Sequence, residues 1–397
     1  MSDLHDLCKL SRPITTKDLD DLKFYLKSGI PSTYTIEEAY NFNNDIQEEP
    51  KTNTTPLHII CQHIPSDYNS EELEIISQMV TILFEYGAGW SFTDINNDTP
   101  GCILLRRNLK NKIFDQIVDA GVRAELLLRK VNNNIEFIEE DEDVLREEDE
   151  ENEPEEVVSE KEAVAEDSKL SDEPQQQDPA EFQNSYLNNK LSYKDDALIT
   201  SNNDGVMMSW ESEIMQKACN TLFSIADDEM VVMNIGFGMG IIDGMIQDRK
   251  PAKHYIIEAH PDVLKKMKDD GWYEKPNVII LEGRWQEHLP ILLDQGIFFN
   301  GIYYDTFSEH YSDMLDLFDY VVGLLKTNGT FSFFNGLGAD RETIYQVYKK
   351  LIGIDLSDYG LTVEFEEYNV PDVDWNGIKR SYWNCPIYYH PTIRFHQ

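Results

Sequence analysis

The chain has few features suited to holding a metal, crossing a membrane or gripping a polyanion. Its five cysteines (Cys8, Cys61, Cys102, Cys219 and Cys385) are scattered. With no CxxC pair and no His/Cys grouping at zinc spacing, neither a metal centre nor a disulfide framework is expected, and the thiols read as reduced. No run approaches the roughly 18 uninterrupted apolar residues of a membrane helix. The opening MSDLHDLCKL lacks the basic and apolar regions of a signal peptide, so a soluble protein of the cytosol or nucleus is expected. Basic residues are scarce, 34 Lys and Arg against 74 Asp and Glu, for a formal net charge of −40. So acidic a surface repels phosphate backbones and anionic lipid, which argues against nucleic acid and membranes as direct partners and suits a basic protein instead. Self-repulsion also discourages association, and a monomer is expected.

Apolar residues make up 41% of 397 positions, enough for two or three domains with true cores. Residues 1–135 show helical periodicity broken by turn signals. TTPLHIICQHI, from Thr54, resembles the ankyrin pattern T-P-L-H-x-A, in which Thr and His tie a turn to the first helix of a repeat. A weaker copy, NNDTPGCILL, places Thr99 44 positions after Thr55, and PSDYNSEELE from Pro65 supplies the excess over the ankyrin period of about 33. LFEYGAGWSFTD from Leu83 and IVDAGVRAELL from Ile117 read as helix ends with glycine-containing turns. An unrelated helical bundle is the competing reading. Residues 136–182 are dominated by Glu and Asp, with Pro154, Pro174, Pro179 and three consecutive glutamines. Such a segment buries too little apolar surface to offset its ordering entropy and reads as a disordered linker, with an acidic tether for a basic substrate as the functional alternative.

Residues 183–397 alternate strand and helix patterns, the βαβ signature of a mostly parallel sheet covered on both faces. VVMNIGFGMGIIDGMI, from Val231, joins an apolar run to the glycines Gly236, Gly238 and Gly240 and then to a helix-like run. These glycines permit φ > 0 and leave room for a ligand to approach the backbone, and the spacing is not the dinucleotide pattern GxGxxG. HYIIEAH ends a second strand on Glu258, 18 positions after Gly240, close to the spacing of about 20 that sets a carboxylate beside a ribose. YYDTF puts Asp305 at the end of a later strand, GRWQEHLP supplies Trp285, and VMMSWESEIM carries Glu211 on an expected short helix over the site. The plain alternatives are a buried turn, core aromatics at Trp210 and Trp285, and a helix cap at Asp305. LTVEFEEYNV and RSYWNCPIYYHPTIRF suggest a terminal antiparallel hairpin.

VMMSWESEIM, NIGFGMGI, YIIEAH, the GxW of Gly283 to Trp285 and YDTF resemble, in the same order and at nearly the same spacing, the guanidinoacetate methyltransferases. With the ankyrin-like region and acidic linker in front, the chain resembles the fungal type IV protein arginine methyltransferases, which methylate the internal δ nitrogen of arginine. The resemblance implies a class I, Rossmann-like, doubly wound fold that binds S-adenosylmethionine, preceded by an all-α ankyrin-like domain. It implies that Gly236, Phe237, Gly238, Met239, Gly240, Ile241 and Ile242 wrap the methionine part, that Glu258, Ala259 and His260 meet the ribose and adenine edge, and that Trp285 and Gln286 flank the adenine. Met207 and Met215 fall at matching positions, and Tyr186 matches with a one-residue gap. Glu211 and Asp305 fall where the family grips a guanidinium, as two carboxylates are suited to do through charge-assisted bidentate hydrogen bonds. An arginine-bearing protein, and a ribosomal protein in particular, is the implied partner. A small guanidino acid remains open, since Arg341, Lys379 or Arg380 offer a cation for its carboxylate, as does a non-catalytic ankyrin adaptor.

Overall fold

The computed structural model describes residues 3–132, 186–307 and 311–396, apart from positions 48, 50, 195, 196, 226, 372, 374, 376, 377 and 380. The expected linker at 136–182 lies outside the described residues. The N-terminal region is all helical: α1 (Asp3–Leu7), α2 (Thr16–Lys27), α3 (Ile36–Asn44), α4 (Pro56–His63), α5 (Ser70–Glu85), α6 (Pro100–Arg106) and α7 (Lys112–Asn132). Caps written in the sequence start these helices. Thr55 precedes Pro56 at the first position of α4, and the Thr55 N–H and hydroxyl meet His58 Nδ1 at 3.3 and 2.8 Å. That fixes the His58 proton on Nε2, which donates to the carbonyls of Phe92 at 3.1 Å and Asp98 at 3.3 Å, so one buried ring ties three turns together. Thr99 caps α6 in the same way, its hydroxyl accepting from Cys102 N–H at 3.3 Å.

One expected turn is absent. Gly87, at φ +85, does end α5, but α7 runs straight through Gly121. Glycine is needed there for contact rather than for bending. A Cβ would stand 2.6 Å from Val347 and 2.9 Å from the Trp90 ring.

The second region opens with a small antiparallel sheet that no sequence signal announced, β1 (Leu191–Tyr193), β2 (Ala197–Thr200) and β3 (Gly205–Met208). The expected helix at VMMSWESEIM is therefore divided. Val206–Met208 are strand, Ser209–Glu211 form one 3₁₀ turn, and α8 begins at Ser212 and ends at Leu222. The main sheet holds β4 (Val231–Ile235), β5 (Lys253–Glu258), β6 (Val278–Glu282), β7 (Phe299–Tyr304), β8 (Leu325–Phe333), β9 (Leu361–Asn369) and β10 (Ile387–Phe395), in the order β6-β5-β4-β7-β8-β10-β9. The first five run parallel, and β10 is inserted antiparallel between β8 and β9. Helices α9 (Ile241–Asp248) and α10 (Pro261–Asp269) pack with α8 on one face, through Met215, Leu222, Ile246 and Met267. Helices α11 (Trp285–Asp294), α12 (Tyr311–Leu324) and α13 (Glu342–Asp358) supply Leu289, Phe318 and Ile352 to the other. This is the mixed-sheet, Rossmann-like class I methyltransferase arrangement. Strand order reverses at β4, so a crevice opens between the carboxyl ends of β4, β5 and β7. The expected terminal hairpin is present, and between its strands Ile378 and Tyr382 lie against Gly205 of β3.

The two regions share a core. Val347 and Leu351 of α13 are buried among the apolar side chains of α1–α7. Beside them Arg129 of α7 meets both carboxylate oxygens of Asp355 at 3.0 Å, and the Tyr311 hydroxyl donates to the same carboxylate. Losing Arg129 leaves a mostly buried charge short of its counterion. Arg129→Ala is expected to destabilise the protein by about 2 kcal/mol. Calorimetry should show wild type unfolding in one transition that moves down a few degrees in the variant; two separate transitions in the wild type would contradict a shared core.

Candidate active site

The glycine turn sits at the switch point, with φ of +96 at Gly236, +55 at Gly238 and +71 at Gly240. Each value lies where an L side chain is strained. The space each glycine leaves is, however, taken by protein. A Cβ on Gly236 would lie 1.9 Å from the Asp305 carbonyl oxygen, on Gly238 3.0 Å from Met207 Sδ, and on Gly240 2.5 Å from the Phe237 ring. Gly236 also lets the β4 turn lie against the backbone that carries Asp305. Asp305 N–H donates to the Ile235 carbonyl at 2.9 Å, which closes the contact.

A buried polar chain fixes this turn from below. Asn234 donates through Nδ2 to the Gly236 carbonyl at 2.8 Å and to Asp243 Oδ2 at 2.9 Å, while Asp243 Oδ1 faces His254 Nε2 at 3.1 Å. All three side chains are fully buried. Glu258 secures the other side, accepting from Phe237 N–H at 2.9 Å and His260 N–H at 2.7 Å. Burial raises its pKa, and these backbone donors oppose the rise. His260 accepts from Asp262 N–H through Nδ1 at 3.1 Å to cap α10, and through Nε2 donates to the Asn189 carbonyl at 3.0 Å. That bond draws the segment from Tyr186 over the end of β5, where the Tyr186 ring lies 5.1 Å from His260 and 4.8 Å from Phe307.

A single cavity at the carboxyl ends of the strands brings together Tyr186, Met207, Glu211, Gly236, Gly238, Glu258, Ala259, Trp285 and Asp305. The other expected residues do not line it. Phe237, Ile242 and Met215 lie in the core behind it, Met215 accepting from the Tyr303 hydroxyl at 3.5 Å. Met239, Gly240 and Ile241 complete the turn and the start of α9, and His260 stands behind Tyr186. Gln286 lies next to Trp285 with its amide oxygen buried and no hydrogen-bond partner among the described residues. Trp285 lines the cavity, and its ring stands edge-on to Tyr304 and Tyr320. The positive-φ turn and the buried carboxylate at the end of β5, both on this cavity, fit an adenosine-bearing cofactor.

Glu211 and Asp305 face this cavity from opposite sides of the fold, one after β3 and one after β7. Glu211 is 2% exposed, and its Oε1 accepts from Met208 N–H at 3.0 Å and from the Tyr382 hydroxyl. The Asp305 oxygen Oδ2 is buried without a hydrogen-bond partner among the described residues. Burial pushes both carboxyls well above the usual range, and a like charge pushes each further, Asp305 acting on Glu211 and Asp243 on Asp305. Two buried acids on one cavity, with no cationic side chain hydrogen-bonded to either among the described residues, are suited chemically to a cation. Sequence reasoning missed Tyr382, Phe334 and Phe307 on the cavity wall, because an aromatic residue in a loop carries no periodic signal.

Residues 180–355 match the family model described as guanidinoacetate N-methyltransferase. Along its whole length the chain is 57% identical to a protein arginine N-methyltransferase 2 from Debaryomyces hansenii, covering 99% of that protein. It is 50% identical to the Candida glabrata protein of the same name and 49% identical to the Saccharomyces cerevisiae one, with complete coverage of both chains. Among solved structures, the spermidine synthase of Thermotoga maritima is similar over 52% of this chain and 72% of its own, at 12% identity and a TM-score of 0.38. With relatives this close over every part of its length, the chain belongs to the protein arginine N-methyltransferase 2 family.

Proposed function

We propose that this S-adenosylmethionine-dependent arginine N-methyltransferase modifies the internal δ nitrogen of an arginyl side chain in a basic protein, a ribosomal protein being the favoured class. The observation that carries the reading is the pair of buried carboxylates, Glu211 and Asp305, in the cavity that Gly236, Gly238 and Glu258 shape. When bound, the cofactor supplies an electrophilic methyl on a sulfonium. Gly236 and Gly238 would meet its methionine part, Glu258 its ribose hydroxyls, and Trp285 its adenine.

The chain's own groups do the rest. Glu211 and Asp305 take a planar guanidinium between them through charge-assisted hydrogen bonds and fix its rotation. That orientation aligns one nitrogen for in-line attack, the largest contribution available to such a site. The nitrogen lone pair would form the new N–C bond as the methyl's bond to sulfur breaks, its electron pair staying on sulfur to leave a neutral thioether, and that nitrogen would give up its proton to Asp305, already raised in pKa. Held by its two terminal nitrogens, an arginyl guanidinium presents the substituted internal nitrogen, which yields the δ product without any further chemical group.

The helical region is read as an ankyrin-like recognition surface, supported by the paired Thr caps at Thr55 and Thr99 and by the His58 ring that binds neighbouring turns. A small guanidino acid is the second reading, favoured by the family model that matches residues 180–355. Of the cations expected to hold its carboxylate, Arg341 is engaged by Asn97 at 3.1 Å and Asp340 at 3.6 Å, and Arg380 lies outside the described residues.

Labelled cofactor offered with a ribosomal protein fraction and with guanidinoacetate separates these readings. Peptide label whose fragmentation marks the δ nitrogen is expected; label confined to guanidinoacetate would overturn the proposal. Two variants test the carboxylates. Asp305→Asn and Glu211→Gln are each expected to cut transfer by about 10²–10⁴-fold while the cofactor still binds. The same acids leave a mark on stability. Because their folded pKa values are raised, the ligand-free protein binds more protons than the unfolded chain, and that stabilisation is lost as pH rises through the folded values. Thermal melts should therefore show Asp305→Asn gaining on wild type as pH rises from the ordinary carboxylate range to about 7 and keeping that gain above it; a difference between the two that stays constant across that range would remove the argument.

A further inference from the structure

We infer that Tyr382, in the connection between β9 and β10, is a positioning residue that sets which oxygen of Glu211 meets the substrate. The inference rests on the guanidinium-binding reading of Glu211 and Asp305 given above. Tyr382 is far from Glu211 in sequence, yet its hydroxyl donates to Glu211 Oε1, the oxygen that already accepts from Met208 N–H at 3.0 Å. One oxygen of the carboxylate is thereby anchored twice. The carboxylate cannot rotate about its own axis, and the second oxygen is left to receive the N–H groups of a guanidinium.

The ring is held so that this hydroxyl has one place to go. It packs on Gly205 of β3, where a Cβ would stand 3.1 Å from the ring, and Trp375 meets it edge-on with centroids 4.9 Å apart. Trp210, immediately before Glu211, lies 6.2 Å away on the same cluster. A side chain at 205 would press on the tyrosine above it. Tyr382 also lines the cavity, so the segment that delivers it forms part of the substrate wall. Burial and the facing Glu211 charge hold its phenol far above ordinary values, so it remains a donor through the working range.

A donor to the charged form of a carboxylate favours that form. The groups facing Glu211 from the surrounding elements are Asp305, Tyr303, Tyr388 and Tyr382, and of these Tyr382 and the Met208 N–H donate to it. Removing the hydroxyl therefore shifts the ionisation of Glu211 to higher pH and frees it to rotate, while the cofactor side of the cavity is untouched.

The test is Tyr382→Phe, which keeps the ring and its packing, assayed with whichever acceptor the wild type methylates. The expected result is unchanged cofactor affinity, an acceptor KM raised about tenfold, and an acid limb of the kcat/KM profile moved to higher pH. In a Glu211→Gln background the same change should add little, because the carboxylate it serves is gone. A Tyr382→Phe enzyme with wild-type KM and pH profile would overturn the assignment, as would full additivity with Glu211→Gln. A wild type that transfers no methyl to any guanidino acceptor would instead remove the underlying reading of the site.

Discussion

The structure turns on two buried carboxylates, Glu211 and Asp305, facing one cavity with their negative charge uncompensated. Burying either costs several kcal/mol in the absence of a counterion, and like charges in one site add to that cost. The protein accepts the cost in part by keeping protons on them, as their raised pKa values record. A guanidinium relieves it outright, since a planar cation with paired donors satisfies both acids together. In the proposed reading, stability of the empty protein is traded against affinity for a guanidinium.

Holding two such acids in place demands a rigid surround, and much of the domain serves that end. Asp305 follows β7 and is drawn against β4 by the Gly236 contact, which in turn depends on Asn234, Asp243 and His254 beneath the turn. Glu211 follows β3 and is anchored by Met208 N–H and by Tyr382, which arrives on the β9–β10 connection. Elements after two strands of different sheets, together with Tyr382, thus converge on the proposed cation site. The helical region is joined to this scaffold through α13, by the Val347 and Leu351 packing and the Arg129–Asp355 pair, so a substrate seated on the helices would be presented to a fixed cavity.

The parts legible in the sequence were those with a local signature. The glycine turn at Gly236–Gly240, the carboxylate closing β5 at Glu258 and the strand ending in Asp305 each follow from residues adjacent in the chain. The caps at Thr55 and Thr99 were readable for the same reason. The small β1–β3 sheet was not, because three short strands give too few residues for a period to emerge. Gly121 misled because a glycine placed in a helix for close contact looks the same in sequence as one placed to end it. Tyr382 and the Asn234–Asp243–His254 chain were invisible because their roles arise from approach across distant segments, which no spacing encodes.

The most direct test of the cation site is a proton inventory. Titration calorimetry of an arginine-bearing basic peptide into the cofactor-loaded protein, repeated in buffers of different ionisation enthalpy, measures the protons released on binding. Raised carboxyl pKa values that a guanidinium brings back down predict net release, growing as the pH is lowered below neutrality, with affinity falling in step. Binding that is tight, independent of pH and free of proton exchange would mean that Glu211 and Asp305 are not where the cation is held.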